Sequence, residues 1–303
     1  MKNLIVILLG GLSDERKISF LTGKACSNAL KKKGFKVINL DASGYFVKEL
    51  KRLKPKIVLN ALHGKFGEDG FVQSILESLR IKYTHSGVLA SSLAMDKELS
   101  KILFKKNNLR VPKYLLLERG KKIKLNKILK IKKLKFPLVI KPNNEGSSLG
   151  VYICNNIREL EIRYKKLVKK YDKILVENYI PGREIQVAVM ESKALGAIEL
   201  IPKRSFYDYK AKYSHGAKTK HIMPAPLPKN KYNEVLMLAK KAHQILGCKG
   251  ITRSDFRYYQ NKFYLLETNT QPGMTKLSLV PEIAKYYGIK FDELVLWMIK
   301  NAS

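Results

Sequence analysis

Leu4 to Leu9 is an unbroken apolar run that stops at Gly10 and Gly11, and an amphipathic segment with Ile18, Leu21, Ala25 and Ala29 on one face follows at once. The pattern then repeats, with Phe35 to Leu40 reading as a strand, Tyr45 to Leu53 as a helix and Ile57 to Ala61 as a strand. An all-apolar run marks a strand covered on both faces, and strands separated by helices pair in parallel. No other feature restricts the fold as much, because it forces the first part of the chain into an α/β unit around a parallel sheet. Gly34, after three lysines, stops the first helix, and Asp69 can cap a later one carrying Phe71, Val72, Ile75, Leu76 and Leu79. The unit is expected to end near Ala94.

From Met95 the punctuation changes. A helix to Lys106 precedes a strand over Val111 to Leu117, a lysine-rich helical segment, and Pro137 to Pro142 with Val151 to Cys154 as its hairpin partner. A charged helix over Asn156 to Lys170 and a strand over Lys173 to Tyr179 complete this stretch. Glu184 to Met190, Leu195 to Ile201, Gly250 to Tyr259 and Phe263 to Thr268 then read as an antiparallel sheet. Lys203 to Met223 is polar and aromatic without periodicity, and a loop of that length is usually a lid or a binding loop. Three units follow: 1–94, 95–180 and 181–303, the last containing the lid loop 203–223.

Composition removes several classes. The longest apolar stretch, Leu4 to Leu12, falls short of the ~18 residues that a spanning helix needs, so no membrane partner is expected. Ser13 to Arg16 offers no small-residue cleavage site after it, which places the protein in the cytoplasm. Cys26, Cys154 and Cys248 are odd in number and widely spaced, unlike a disulfide framework or a zinc site. A formal charge of +34 suggests a polyanionic partner. Only 11 of the 59 cationic residues are Arg, however, and the lysines are spread along the whole chain, so a solvated lysine-rich surface is favoured over nucleic-acid binding.

No two glycines stand two apart, and neither Gly23-Lys24 nor Gly64-Lys65 is followed by Ser or Thr, so neither the dinucleotide fingerprint nor a P-loop is present. The remaining phosphate candidate is Lys141 to Gly150, a turn of small residues with amides, hydroxyls and a lysine at its base; the plain alternative is an ordinary hairpin tip. The segment from Arg253 to Asn269 reads as two strands about Gln260-Asn261-Lys262. Pairing symmetric about Asn261 sets Tyr259 against Phe263, Asp255 against Glu267 and Arg253 against Asn269, with the last four on one face. Opposed carboxylates repel unless a cation lies between them, and carboxylate and amide oxygens suit Mg²⁺. Solvated acids on an edge hairpin are the alternative. At the carboxyl ends of the first strands, Glu15 and His63 share a crevice, where Glu15 can hold an ammonium group and His63 can hydrogen-bond a ligand; alone, each also reads as a helix-start carboxylate and a backbone-satisfied histidine.

Gly10 to Arg16, Ala61 to Gly64, Gly67 to Gly70, Met95-Asp96-Lys97, Lys141-Pro142 with Glu145 to Ser148, Phe206 to Tyr213, and Glu267 to Thr275 occur in an order that resembles the D-alanine–D-alanine ligases of the ATP-grasp superfamily. The resemblance spans essentially the entire chain. It implies an α/β fold with a three-domain ATP-grasp architecture, in which an N-terminal parallel-sheet domain precedes two α+β domains that sandwich ATP. It also implies joining of two D-alanine molecules for peptidoglycan precursor synthesis, with ATP and Mg²⁺ or Mn²⁺, two ions being expected, and a homodimer.

Carried over by position, Lys97 and Lys141 hold ATP phosphates, Ser147 and Ser148 belong to the loop over the site, and Glu177 and Glu184 hold adenine and ribose. Asp255, Glu267 and Asn269 match the magnesium ligands. Arg253 and the Gly273 amide stabilise the oxyanion, Glu15 with His63 beside it binds the first ammonium, and Lys212, Ser278 and Leu279 hold the second carboxylate. Tyr213 is linked with Glu15 and Ser147; relatives making D-alanyl-D-lactate tend to lack it, so a dipeptide is expected. Three departures stand out: Gln271 replaces a small residue, Ser254 replaces an aliphatic one, and the surface is unusually basic. The rivals are an ATP-grasp ligase with another second substrate, and a basic nucleic-acid-binding protein stacking bases on Phe206, Tyr207, Tyr209 and Tyr213.

Overall fold

The computed structural model describes residues 4–121, 124–202, 219–275 and 277–303. Strand β1 (Leu4–Leu9) is buried along its length between β2 (Lys36–Asp41) and β3 (Ile57–Asn60), with β4 (Lys82–Tyr83) beyond β3, all parallel. Helices α1 (Arg16–Lys32), α2 (Phe46–Leu53) and α3 (Phe71–Ser78) lie between these strands in sequence.

The stripe of α1 differs from the expected one. Ile18, Thr22, Cys26, Ala29 and Leu30 are buried, whereas Leu21 is 56% exposed. Small and hydroxyl residues face the sheet because the helix lies close to β1: a Cβ on Gly23 would stand 2.7 Å from Leu9 Cδ2. At α3 the N-cap is Gly70 at φ +95°, and Asp69 accepts from the Phe71 N–H at 3.1 Å from one residue further out.

A second sheet has the order β5 (Tyr114–Glu118), β8 (Lys173–Asn178), β6 (Leu138–Pro142), β7 (Tyr152–Cys154), antiparallel throughout. With α6 (Leu125–Ile131) and α7 (Ile157–Leu167) it encloses a core of its own, including Leu117, Leu138, Ile140, Leu160 and Ile174. Asn156 caps α7 by accepting from the Glu159 N–H at 2.9 Å.

The third sheet runs β11 (Lys220–Ile222), β10 (Lys193–Ile201), β9 (Arg183–Met190), β12 (Ile251–Tyr259), β13 (Lys262–Asn269), again antiparallel. β11 occupies the end of the stretch 203–223 expected to lack regular structure; residues 203–218 lie outside the described residues. Several helices were not expected from the sequence. α4 (Val88–Met95) precedes the expected α5 (Lys97–Lys106); α8 (Lys229–Ile245) and α9 (Leu279–Tyr286) cover the third sheet, and α10 (Phe291–Lys300) packs on α1 and α9. α8 buries only Val235, Ala239, Ala242 and His243, too thin an apolar stripe to stand out among its lysines.

Two cores join these parts. Ile5, Ile7 and Leu59 of the first sheet share one cluster with Ala188, Leu195, Ile198, Leu279 and Met298. On the opposite side, Ala90, Ala94 and Phe104 from α4 and α5 pack with Val187, Ala239 and Phe256.

Candidate active site

The hairpin of β12 and β13 positions the acids. Its tip is a two-residue turn, with Gln260 and Asn261 both at positive φ (45° and 61°), which is the left-handed pair that a tight antiparallel hairpin requires. Tyr259 therefore pairs with Lys262 and Tyr258 with Phe263, one step from the register symmetric about Asn261. An irregularity between Asp255 and Phe256 inserts Leu266 on the opposite strand, after which Asp255 faces Glu267, Ser254 faces Thr268 and Arg253 faces Asn269. The chemistry-bearing pairs thus stand as expected, but only because a bulge compensates for the tip.

Two cations of the chain itself answer the repulsion between these acids. Arg253 donates from Nε and a terminal nitrogen to both oxygens of Asp255, at 2.8 and 3.0 Å. Lys97 Nζ lies 3.3 Å from Glu267 and donates to the Glu145 carbonyl at 2.5 Å. The Asn269 side-chain oxygen accepts from the Gln271 backbone N–H at 2.8 Å.

Across from the hairpin stands the loop joining β6 and β7. Ser147 and Ser148 are both in the left-handed region, at 49° and 59°. Non-glycine residues there cost about 1–2 kcal/mol each, which an ordinary hairpin tip would avoid. Ser147 Oγ donates to Glu15, although 132 residues separate them. Glu15 holds the N-cap position of α1 but makes no capping hydrogen bond with its side chain, so the carboxylate, 5% exposed, is turned to this contact. His63 lies nearby between Glu68 (Nδ1 to Oε1, 3.0 Å) and Thr22 (Nε2 to Oγ1, 3.0 Å), while Ser13 donates to its carbonyl at 2.6 Å. Burial alone would lower the His63 pKa, and the hydrogen bond and charge of Glu68 reverse that and raise it.

These groups line two adjoining clefts. One contains Glu15, His63, Ser147, Arg253, Asn269, Gly273, Ser278 and the Leu279 segment. The other contains Lys141, Ser148, Glu177, Glu184 and Asp255, with apolar walls from Val139, Leu149, Ile180 and Leu266. Lys97, Glu145 and Glu267 line both, so the two spaces meet at a lysine and an acid. Ser278 accepts from the Thr275 N–H at 2.9 Å and precedes α9. The Leu279 side chain is in the core, which leaves only its backbone for a ligand. Lys212 and Tyr213 lie outside the described residues.

Sequence reasoning passed over three side chains here. Lys101, one helical turn beyond Lys97 on α5, is fully buried, and its nitrogen lies 2.9 Å from Glu177; the i, i+4 spacing from Lys97 is the signal that could have found it. Arg257 fixes the Glu184 wall by donating to the Ile180 and Gly182 carbonyls, with Glu184 3.3 Å away. Gln186 faces Asp255 across β9 and β12 and is 1% exposed. The two departures in residue type, Ser254 and Gln271, also have partners. Ser254 and Thr268 share a hydroxyl contact at 2.9 Å, and Gln271 donates to the Leu62 carbonyl, tying the loop after β13 to the loop after β3.

Residues 103–300 match the family described as D-ala D-ala ligase C-terminus. Among curated relatives, the D-alanine–D-alanine ligase of Pelagibacter ubique is 56% identical, covering 100% of this chain and 99% of its own length. That of Citrifermentans bemidjiense is 46% identical, covering 100% and 97%. The crystal structure of the Bacillus anthracis D-alanine–D-alanine ligase complexed with ATP is 29% identical and superposes with a TM-score of 0.87 over 99% of this chain and 97% of that one. Another structure of that Bacillus anthracis ligase is 32% identical with a TM-score of 0.89. Full-length similarity at these levels, on a fold whose parallel sheet and two antiparallel sheets meet at this pair of clefts, leaves one conclusion: the chain belongs to the D-alanine–D-alanine ligase family.

Proposed function

We propose that the protein ligates two D-alanine molecules to D-alanyl-D-alanine at the expense of ATP, supplying a peptidoglycan precursor. One observation carries this reading: a polar cleft and an apolar-walled cleft meet at Lys97 and Glu267, so an amino-acid carboxylate and a nucleotide's terminal phosphate can be brought into contact. The first D-alanine sits with its ammonium on Glu15 beside His63. Its carboxylate attacks the γ-phosphorus, ADP leaves, and an acyl phosphate forms. The amine of the second D-alanine then attacks the acyl carbon, Arg253 and the Gly273 amide bear the charge of the tetrahedral oxygen, and phosphate departs. Lys97, Lys141 and the Ser147-Ser148 loop neutralise and orient the phosphates, while Glu177 and Glu184 hold the nucleoside. Ser278 and the Leu279 backbone receive the second carboxylate; Lys212 and Tyr213 join them by resemblance alone.

Asp255, Glu267 and Asn269 fit a hard divalent cation. Among the described residues no three His, Cys, Asp or Glu side chains stand together, so such an ion leans on two carboxylates, one amide oxygen, water and phosphate oxygens, the donor set that magnesium prefers. When bound there, magnesium would neutralise charge on the nucleotide's phosphates. Arg253 would then release Asp255 and face the acyl oxygen.

From the sequence pattern we assign the boundaries 1–94, 95–180 and 181–303 and a cytoplasmic location, and by the resemblance a homodimeric state. The separate core of the second sheet supports the middle unit, with α5 bridging onto the third. Among the described residues no helix is long and apolar enough to cross a membrane.

The test is phosphate release by purified protein with ATP, magnesium and D-alanine, set against L-alanine, D-serine and D-lactate. Turnover with D-alanine and loss of it in Glu267→Ala are expected; no D-alanine-dependent phosphate overturns the assignment, and near-normal turnover of Glu267→Ala removes Glu267 as a cation ligand.

A further inference from the structure

At the floor of the nucleotide cleft a single carboxylate serves two lysines. Glu177 on β8 faces Val139 across β6, which places Lys141, two residues along β6, diagonally beside it on the same face. Lys141 Nζ donates to Glu177 Oε1 at 2.5 Å, and Lys101 Nζ lies 2.9 Å from Oε2. In the second contact charge attraction between Lys101 and Oε2 outweighs hydrogen bonding. Lys141 lines the cleft, whereas Lys101 is fully buried behind the carboxylate and cannot reach a ligand.

These positions separate the tasks of the two lysines. A phosphate entering the cleft competes with Glu177 for Lys141. If Lys141 turns to the phosphate, Oε1 loses its charged partner in a site that is 3% exposed, and a buried charge stripped of its partner is strongly unfavourable. The cost would be charged against nucleotide affinity, unless a second cation stays behind.

We propose that Lys101 is that cation, a positioning residue that keeps Glu177 balanced while Lys141 transfers from the carboxylate to a nucleotide phosphate. The inference rests on the nucleotide reading of this cleft given above. Electrostatics agree with the geometry. Burial pushes the Lys101 ammonium down to about 8, with the Glu177 charge acting against it, so it remains mostly protonated at neutral pH. Burial acts to raise the Glu177 carboxyl, and the two lysines, Lys101 foremost, more than reverse that and hold it below its ordinary range.

The experiment is calorimetric titration of ADP into the full chain without D-alanine, for the unaltered protein, Lys101→Met, Glu177→Gln and the double variant, with KM for ATP and for D-alanine measured alongside. Lys101→Met is expected to weaken ADP binding by at least about tenfold, equal to about 1.4 kcal/mol, and to raise KM for ATP while KM for D-alanine stays within about twofold. In the Glu177→Gln background the same replacement should change ADP affinity by less than about twofold, because no charge is left to balance. Unchanged ADP binding by Lys101→Met, or an equal loss in both backgrounds, overturns the proposal in favour of packing. Should Lys101→Met fail to fold, a loss of about tenfold or more in ADP affinity between Glu177→Gln and the double variant, which carries neither charge, still overturns the proposal in favour of packing. ADP binding without D-alanine-dependent turnover in the unaltered protein would remove the ligase reading and leave this inference in place.

Discussion

Gly146 offers a way to disturb the substrate side of the site without replacing a functional group. An added Cβ would stand 2.8 Å from Glu15 Oε1, and Gly146 is not at positive φ, so alanine meets a side-chain obstacle and no backbone one. The obstacle is the end of a flexible carboxylate. It can retreat by roughly 0.6 to 0.8 Å to reach ordinary van der Waals separation, so the fold absorbs the change at little cost. Function should not absorb it. The same carboxylate accepts from Ser147 and is assigned to the first D-alanine's ammonium. Weakening one charge-assisted hydrogen bond is worth about 1.5–3 kcal/mol, or about 10- to 100-fold in kcat/KM for D-alanine. Phosphate-release kinetics at varied D-alanine, with thermal unfolding alongside, should show Gly146→Ala losing that factor while its Tm moves by less than about 3 °C. A kcat/KM within twofold of the unaltered protein would refute the argument, as would a large fall in Tm, which would mean that the fold takes the strain.

Two further predictions concern stability. Ser254 and Thr268 are both buried and satisfy each other across β12 and β13; either Ser254→Ala or Thr268→Val should cost about 1–3 kcal/mol by leaving a hydroxyl unpaired, and the double variant less than the sum. Denaturant unfolding of the four proteins measures this, and strict additivity would dismiss the pair. His63 has a pKa raised above its unfolded value of about 6.5, so its ion pair with Glu68 contributes fully below that pH and is lost as pH rises through the folded value. Unfolding free energies measured between pH 6 and 9 should fall across that window, and Glu68→Gln should flatten the fall; an unchanged slope in the variant would show that Glu68 does not hold the proton.

The α/β beginning of the chain was readable because β1 is uniformly apolar and its helix follows a glycine pair. The acid pairs of the hairpin were readable for a different reason. Asp255, Glu267 and their neighbours sit two residues apart on each strand, and the Leu266 bulge restores the spacing that the Gln260-Asn261 turn had shifted. A bulge leaves no period of its own in the sequence, so the agreement at the acids hides a disagreement at the tip. The α8 helix escaped notice because its buried positions are valine and alanines, and Leu21 misled because it is apolar yet faces water. Lys101 escaped because its i, i+4 spacing from Lys97 is a weak signal among so many lysines until the helix is docked. Only then does its complete burial distinguish it.

The core shared by the first and third sheets, set against the separate core of the second, determines which parting of the molecule is cheap. Pulling the first sheet from the third would bare Ile5, Ile7, Leu59, Ile198 and Leu279 to water, at about 25 cal/mol for each Å² exposed. Swinging the second sheet outward leaves its own interior intact, and the ties it gives up are polar: Ser147 to Glu15, Asn143 to the start of α5, Lys170 to Asp14 and Glu177 to Lys101. The easy hinge therefore carries Lys141, Glu177 and the serine loop as one jaw, and every opening must break the clasp between Ser147 and Glu15. With Glu15 and the serine loop in the roles proposed above, entry of the nucleotide and seating of the first amino acid would in that way be mechanically linked.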